Sequence, residues 1–506
     1  MRFRLGAASA ILTLLLSLAP AVRAGDGAPP LPVIVPAPDE KSGEDGTPPL
    51  PQIIPPKEQE PGLPPLPQIE GAEEEEPAPS PLPEMGPPEA PFAEEPSPGW
   101  SERLDEQLGR LPVPLHGFWE ARLGHRTVHD RHHSRQFTLG ETRLQLESDP
   151  FLEPVQFGLK ADLLQDFVLR ESRINLREAN ASFSPAEFLD VKLGRQILTW
   201  GTGDLIFIND LFPKDYESFF IGRDVEYLKA PSDAIKVSLF SDLANVNVVY
   251  SPHFDPDVFV TGKRLSYFNP LAGKRVGEDV RIRTDEPAEW FQDDEVALRL
   301  YRNVGSYELA GYAYRGFWKS PAGIDATSGK FTFPRLDVFG ASARGPLAMG
   351  IGNVEVGYYD SRDDRGGDDP LVRNGEWRFL LGYAQDLPSI ASDLSVGVQY
   401  YVEHMTDYGA YRHSLPAGSP RADENRHVLT LRLTKLLMNQ DLRLELFAFY
   451  SPSDDDAYLR PYVSYDITDR WRIDGGANVF VGDEDHTQFA QMKRNNNVYL
   501  GLRYSF

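Results

Sequence analysis

The chain of 506 residues contains no cysteine and, after its amino-terminal segment, no long apolar run. The lack of cysteine excludes disulfide bonds, thiol catalysis and cysteine-ligated zinc. The lack of an apolar run of about 18 residues excludes a transmembrane helix in the rest of the chain. A net charge of -25 argues against a nucleic-acid partner. Aromatic residues are plentiful instead (28 Phe, 21 Tyr, 7 Trp), which is typical of apolar residues spread over many strands.

The first 24 residues, "MRFRLGAASAILTLLLSLAPAVRA", predict a secretory signal peptide. Arg2 and Arg4 precede an apolar stretch, which ends in small or aliphatic residues before Ala24. We therefore expect an exported protein. Because no cysteine follows the signal peptide, the mature chain is not expected to be a lipoprotein.

Residues 25–98 form an acidic, proline-rich segment in which "PPLPVI" at Pro29 recurs as "PPLPQI" at Pro48 and Pro64. It contains 16 acidic and 2 basic residues, so it carries 2 − 16 = −14 of the net charge. Proline and like-charge repulsion favour an extended, disordered segment. The segment is either a plain periplasmic linker or a docking segment for a periplasmic or cell-wall partner. After it, Trp100, Leu104 and Leu108 predict a short amphipathic helix within residues 99–113.

From residue 114 to 506 apolar and polar residues alternate with a period of two, as in "DLRLELFAFY" at 441–450 and "WRIDGGANVFV" at 471–481. These runs approach the 9–11 residues with which a tilted strand crosses a bilayer. Tight links near residues 185, 242, 439 and 468 alternate with long ones at 199–232, 252–294, 360–375 and 409–425. The pattern predicts an all-β fold, a transmembrane antiparallel up-and-down β-barrel of about 18 strands, or 16 if two of them are one.

The chain ends in "NNNVYLGLRYSF", where Leu502, Tyr504 and Phe506 alternate with smaller or polar residues. In a closed barrel the last strand pairs with the first and turns its apolar face to lipid. The ending resembles the carboxyl-terminal signature that the barrel-assembly machinery of Gram-negative bacteria reads. Expected partners are thus this machinery and the lipid and lipopolysaccharide of the cell outer membrane.

Strand parity directs charged residues of both signs into the predicted lumen. Such a wall either favours anionic solutes through its arginines or pairs its charges with one another across strands. The basic wall residues are Lys192, Arg432, Arg443, Arg460, Arg472 and Arg503, with Arg122, Arg143, Arg173, Arg299 and Arg378, and the acidic ones are Glu120, Glu147, Asp190, Glu403, Glu445, Asp466 and Asp474.

The link 199–232 is too long and too aromatic for an idle surface loop, since its apolar side chains are better buried than hydrated. We expect it to fold into the lumen and to set the width and selectivity of the pore. The alternative is packing on the rim or against another protomer. The predicted constriction residues are Asp204, Asp210, Lys214, Asp215, Glu217, Arg223 and Asp224.

The stretch "LREANASF…LDVKLGRQILTWG…D…FPKDY" resembles the central signature of a widespread, poorly characterised family of large porin-like outer-membrane barrels. About 75 residues match closely. The Gly-Arg-Gln element also occurs in exporters of alginate-like polysaccharides. Strict alternation points Arg195 to lipid, unless a bulge at Gly194 turns it inward. The signature falls on Leu176, Arg177, Glu178, Ala179, Gly194, Arg195, Gln196, Trp200, Gly201, Asp210, Pro213 and Asp215.

Two weaker patterns concern metals. His125, His129, His132 and His133 in "HRTVHDRHHSR" are weak candidates for zinc or copper ligands, more often plain surface residues. Runs of aspartate at 363–364, 368–369 and 454–456 are either solvated loops or cation bridges to lipopolysaccharide phosphates. No metal site and no cofactor is assigned.

The sequence therefore favours a channel for hydrophilic solutes, including anionic ones. The alternatives are an exporter of an anionic polysaccharide and a structural anchor that links the outer membrane to a periplasmic or cell-wall partner. An enzyme in the barrel wall is not expected, because no hydrolase motif is present. The oligomeric state stays open.

Overall fold

The computed structural model describes residues 113–506, together with Gln107 and Gly109. The predicted signal peptide 1–24, the predicted linker 25–98 and almost all of the helix predicted within 99–113 lie outside the described residues.

Eighteen antiparallel strands form one closed barrel, as the alternation predicts. The barrel closes because its first strand pairs with its last, in a register that runs from Phe118 beside Ser505 to Arg126 beside Asn497. The strands are β1 His116–Arg126, β2 Phe137–Ser148, β3 Val155–Asp166, β4 Glu171–Ala186, β5 Leu189–Ile197, β6 Pro231–Leu239, β7 Asn245–Ser251, β8 Glu295–Val304, β9 Tyr307–Phe317, β10 Arg335–Leu347, β11 Gly350–Ser361, β12 Glu376–Asp386, β13 Leu394–Met405, β14 Asn425–Leu437, β15 Leu442–Ser451, β16 Asp456–Asp466, β17 Trp471–Val481 and β18 Asn497–Ser505.

The connections differ between the two ends of the barrel. The tight turns predicted near residues 185, 242, 439 and 468 all lie at one end, and short turns mark the periplasmic side of such barrels. The opposite, extracellular end carries the long loops, although two of its links, 167–170 and 452–455, are short. The extracellular loops contain helices α1 Tyr216–Ile221 and α2 Tyr408–Ser414, 3-10 turns Val225–Leu228 and Ala490–Asn495, and short strands Tyr267–Asn269, Lys274–Val276, Thr284–Asp285, Gly323–Ile324 and Phe331–Thr332. The short strand Phe151–Leu152 and the 3-10 turn Met438–Gln440 lie at the periplasmic end.

Side chains alternate between the two faces of the wall. In β1, Trp119 and Leu123 are exposed on the outside, whereas Glu120 and Arg122 are buried on the inside. Aromatic residues lie near both ends of the outer face, such as Trp471 against Tyr504 at the periplasmic end, with ring centroids 4.9 Å apart. A closed barrel with an apolar, aromatic-edged exterior is a protein of the outer membrane.

None of the helices in the described part of the chain is long and apolar enough to cross a membrane.

A bulge in this wall lies in β4 rather than at Gly194. The register between β3 and β4 passes from Glu178 to Leu176, so Arg177 is the extra residue. The register between β4 and β5 continues through Gly194 without a shift. Arg195 therefore stays on the outer face with Leu193, where its guanidinium lies 2.9 Å from the carboxylate of Asp233.

Candidate pore constriction

The segment between β5 and β6, residues 198–230, crosses the interior of the barrel, and we call it the inner loop. Its residues contact Glu141 of β2, Glu355 of β11 and Tyr458 of β16. Because these strands lie on different sides of a closed barrel, a segment that touches all of them has to run through the lumen.

Local interactions give the inner loop its shape. The hydroxyl of Thr199 donates to Asp210 at 2.8 Å, and the ammonium of Lys214 contacts the same carboxylate at 3.0 Å. Asp215 caps helix α1 by accepting from the Ser218 backbone N–H at 2.7 Å. Gly222 ends the helix with φ of 92°, a conformation that favours glycine. A β-carbon there would lie 2.2 Å from the ring of Tyr499, so the loop approaches β18 as closely as a glycine permits.

One side of the inner loop is held by buried ion pairs on β1 and β2, which we call the packed side. Arg223 donates to both oxygens of Glu141, at 2.6 to 3.1 Å. Burial acts to lower the pKa of Arg223, but Glu141 outweighs it and the pKa is raised, so the guanidinium stays charged. Arg122 donates to the carbonyl oxygen of Gly222 at 3.2 Å and pairs with Asp474 at 2.9 Å. The side chains of Arg122, Glu141 and Asp474 are each 1% exposed, so this side excludes water.

Aromatic packing reinforces the packed side. Phe219 and Phe220 of helix α1 meet Tyr458 with centroids 5.7 and 5.9 Å apart. Tyr458 stacks on Phe480 of β17 at 4.4 Å. These inward-facing rings form an apolar surface against which helix α1 packs. Such aromatic pairs stabilise a structure beyond what their buried area alone contributes.

The amino-terminal part of the inner loop, residues 202–204, is held by polar contacts on β11, β13 and β14. Glu355 accepts from the backbone N–H groups of Thr202 and Gly203. Gln399 forms two reciprocal hydrogen bonds with the backbone of Asp204, at 2.7 and 2.8 Å. We call the part of the barrel wall that contacts Asp204, on β13 and β14, the open side.

The open side keeps its charges in water. Asp204 pairs with Arg432 at 2.8 Å, and both side chains are 38% exposed. Burial raises the pKa of Asp204 above its usual value, and the nearby Arg432 opposes that rise. The pair presents charge of both signs beside the inner loop.

The long extracellular loop 252–294 packs against the inner loop. Val258 donates to the carbonyl oxygen of Lys214 at 2.8 Å, and its own carbonyl accepts from Tyr216 at 2.9 Å. The fully buried Arg264 of this loop contacts Glu217 at 3.1 Å and also pairs with Asp166 of β3. The extracellular loop and the inner loop are therefore one packed unit.

The predicted constriction residues are thus divided. Asp204 and Asp224 retain substantial water contact, and Asp224 lies 3.5 Å from Arg503. Burial acts to raise the pKa of Asp224, but Arg503 and a backbone N–H lower it overall. Asp210, Lys214 and Arg223 are buried in ion pairs within or beside the loop. Asp215 and Glu217 act as the helix cap and as the partner of Arg264.

The predicted basic wall is largely neutralised by carboxylates. Arg460 is the exception among the six residues, since it donates to the Arg223 carbonyl oxygen and lies over the Phe219 ring. The pairs are Lys192 with Glu178 at 3.8 Å, Arg432 with Asp204 at 2.8 Å, Arg443 with Glu445, Arg472 with Asp466 at 2.5 Å and Arg503 with Glu120 at 2.9 Å.

The signature residues surround the base of the inner loop. The bulge residue Arg177 donates to the carbonyl oxygens of Glu226 and Lys229, both at 3.2 Å. Arg195 donates to the carbonyl oxygen of Leu176 beside that bulge, at 2.8 Å, from the outer face. On β4 and β5, Ala179 pairs in register with Arg195, Gly194 has φ of 108°, and Gln196 donates a hydrogen bond to the Ala234 carbonyl oxygen. In the inner loop, the ring of Trp200 lies 5.0 Å from the ring of Phe212, and Gly201 lies against Glu355. The Pro213 carbonyl oxygen accepts a hydrogen bond from the Ala230 backbone N–H.

The weak metal candidates have other contacts. The two ring nitrogens of His133 lie 3.0 Å from an Asp130 carboxylate oxygen and 3.1 Å from the Gly262 carbonyl oxygen. In the described residues no group of three or more His, Asp or Glu side chains is arranged to hold a metal, so His125, His129 and His132 gain no partners of that kind. Asp363 and Asp454 pair with Arg335 and Arg426.

Several important contacts were not foreseen. Glu141, Glu355, Gln399 and Tyr359 hold the inner loop, and none of them was singled out from the sequence. Their inward parity was readable, but alternation does not tell which inward residue meets a given part of a long loop.

Comparisons with known proteins place the barrel among distant structural neighbours. Crystal structures of OccD3 (OpdP) of Pseudomonas aeruginosa and OccAB3 of Acinetobacter baumannii are each 10% identical to this chain, with TM-scores of 0.45 and 0.46. They cover 78% of this chain and 91% and 99% of their own. A mutant porin of Rh. blastica is 12% identical, with a TM-score of 0.34, and covers 78% of this chain and 100% of its own. No protein-family model and no curated protein matches the sequence.

Proposed function

We propose that this protein is an outer-membrane channel for hydrophilic solutes and that the inner loop sets its width. The observation that carries the proposal is the asymmetric hold on the inner loop. Buried pairs fix the loop to the packed side, while the Asp204–Arg432 pair on the open side is 38% exposed at each partner. Polar, water-accessible groups beside a fixed obstruction are what a filter for hydrophilic solutes needs.

The charge pattern of the wall favours a mild preference for anions rather than a strong one. Five of the six basic wall residues face a carboxylate, so the wall presents both signs. An exporter of a polyanion would benefit from a track of uncompensated arginines, and the described wall offers no support for that alternative. A structural anchor does not require a lumen of eighteen strands.

The test is single-channel recording of the full mature chain in planar bilayers, with the reversal potential measured under a salt gradient. We expect steady conductance steps and a small shift toward anions. We propose that segment 25–98 is a periplasmic linker. A shortened chain of residues 100–506, measured beside the full mature chain, tests whether this segment affects the pore. No conductance from either form would overturn the channel and leave the anchor.

A further inference from the structure

A recess of about 540 Å³ lies in the lumen wall near the periplasmic mouth, away from the inner loop. Its floor is a continuous row of register partners on β3 to β6, namely Gln156, Ser182, Lys192 and Lys236. These residues face the lumen, because the residues next to them in sequence, such as Leu193 and Ile235, are exposed on the outer face. Phe151, which pairs with Gln156, continues the row onto the periplasmic turn.

Two lysines lie side by side in this row. Lys192 and Lys236 are direct register partners on β5 and β6, and like charges placed directly opposite each other destabilise a sheet. Lys192 has a distant carboxylate, Glu178 at 3.8 Å. Lys236 forms no ion pair or hydrogen bond with another described side chain. An arrangement that costs folding energy and leaves the Lys236 ammonium group without a direct carboxylate partner among the described residues fits the binding of a ligand carboxylate.

The other groups that line the recess can form hydrogen bonds with the hydroxyl groups of a ligand. Ser182 and Ser238 bring hydroxyl groups, and Gln156 brings an amide. Asp190 accepts a hydrogen bond from Ser184 at 2.6 Å and keeps a second oxygen as an acceptor. Phe151 is 62% exposed, so its ring can cover the C–H face of a sugar. Because the carboxylates of Asp190 and Glu153 also line the recess, it does not favour a simple inorganic anion.

We propose that this recess binds a sugar acid, a polyhydroxylated ring with one carboxylate. The carboxylate lies between Lys192 and Lys236, and ring hydroxyls meet Ser182, Ser238 and Asp190. A volume of about 540 Å³ accommodates one or two sugar rings and is within the ordinary range for small-molecule sites. This inference rests on the proposed function in one respect, namely that solutes can enter the lumen.

The test is saturation-transfer NMR on the full mature chain in deuterated detergent, with glucuronate, glucose and acetate as probes. We expect saturation of the glucuronate ring protons and much weaker effects on the other two probes. Lys192→Gln and Lys236→Gln should each weaken glucuronate binding about tenfold or more, since each removes a charged hydrogen bond. Phe151→Ala should lower the saturation of the C–H face.

Lys160→Gln is the matched control, because Lys160 is an inward lysine on β3 that does not line the recess and already pairs with Glu147 at 2.8 Å. It should bind glucuronate as the unaltered chain does. Unchanged binding in both Lys192→Gln and Lys236→Gln would overturn the proposal, as would equal saturation of glucose or of acetate. Conductance of the unaltered chain is recorded separately, so glucuronate binding without conductance would remove the channel and leave this site standing.

Discussion

The packed side and the open side hold the inner loop through different kinds of ion pair, one buried and one exposed. On the packed side, Glu141 is 1% exposed and meets Arg223 in a dry setting. On the open side, Asp204 and Arg432 are each 38% exposed. Removing one partner of a buried pair leaves an uncompensated charge, whereas an exposed pair contributes little to stability. We infer that the packed side determines whether the loop stays in place and that the open side determines which solutes pass.

The largest expected effect is on stability at the packed side. Glu141→Ala leaves Arg223 and Arg143 without their shared carboxylate and should lower the free energy of unfolding by about 3–5 kcal/mol. Glu445→Ala, which breaks the exposed pair with Arg443, should cost about 0–1 kcal/mol. Urea unfolding followed by tryptophan fluorescence measures both. Equal losses would remove the distinction between buried and exposed pairs.

The next effect concerns the close approach of the loop to β18. Gly222→Ala places a residue with a β-carbon at φ of 92°, within 2.2 Å of the Tyr499 ring, and should cost about 1–3 kcal/mol. Gly273→Ala is the control, since Gly273 has φ of 60° and no atom within 4 Å of the added carbon. Urea midpoints and the noise of the open-channel current report the difference. A loss in Gly273→Ala as large as that in Gly222→Ala would contradict the role of the contact.

On the open side we expect changes in selectivity with little loss of stability. Asp204→Asn leaves Arg432 uncompensated and should shift the reversal potential toward anions, and Arg432→Gln should shift it toward cations. Arg335→Gln alters an outer pair with Asp363 and should leave the reversal potential unchanged. Shifts of the same sign in Asp204→Asn and Arg432→Gln would show that solutes do not pass this pair.

The smallest expected effect is a dependence of selectivity on pH. Burial raises the pKa of Asp204, so this carboxylate takes up a proton at a higher pH than an ordinary aspartate when the pH falls. Protonation of Asp204 removes the negative charge beside Arg432, and acidification should therefore move the reversal potential toward anions. Asp204→Asn should remove the part of the shift that belongs to this residue. An identical pH response in Asp204→Asn would assign it to other groups.

Alternation along the chain predicted the barrel well, because the inward or outward direction of a side chain follows from a period of two. Eighteen strands and the tight turns follow from that pattern, as does the pairing of the last strand with the first. The loop lengths were only partly predicted, since 167–170 and 452–455 are as short as turns.

The contacts of the inner loop could not be predicted in the same way. Residues such as Arg223 and Glu141 are far apart in sequence, and no local period relates them. The bulge at Arg177 shows a second limit, because one extra residue in β4 decides which side chain reaches the loop and is not visible in the alternation. The orientation of Arg195 depended instead on whether β5 has a bulge at Gly194, and the register there is regular.

The pairing of β1 with β18 has a consequence for biogenesis. Phe118 and Ser505 are neighbours across the seam, although almost the whole barrel separates them in sequence. Every other strand can find a sequence neighbour early, whereas β1 keeps a row of unpaired backbone groups until the last strand arrives. Such an edge is poorly tolerated in lipid and prone to join foreign strands. A chain interrupted before β18 is therefore expected to stay open and to be recognised as unfinished.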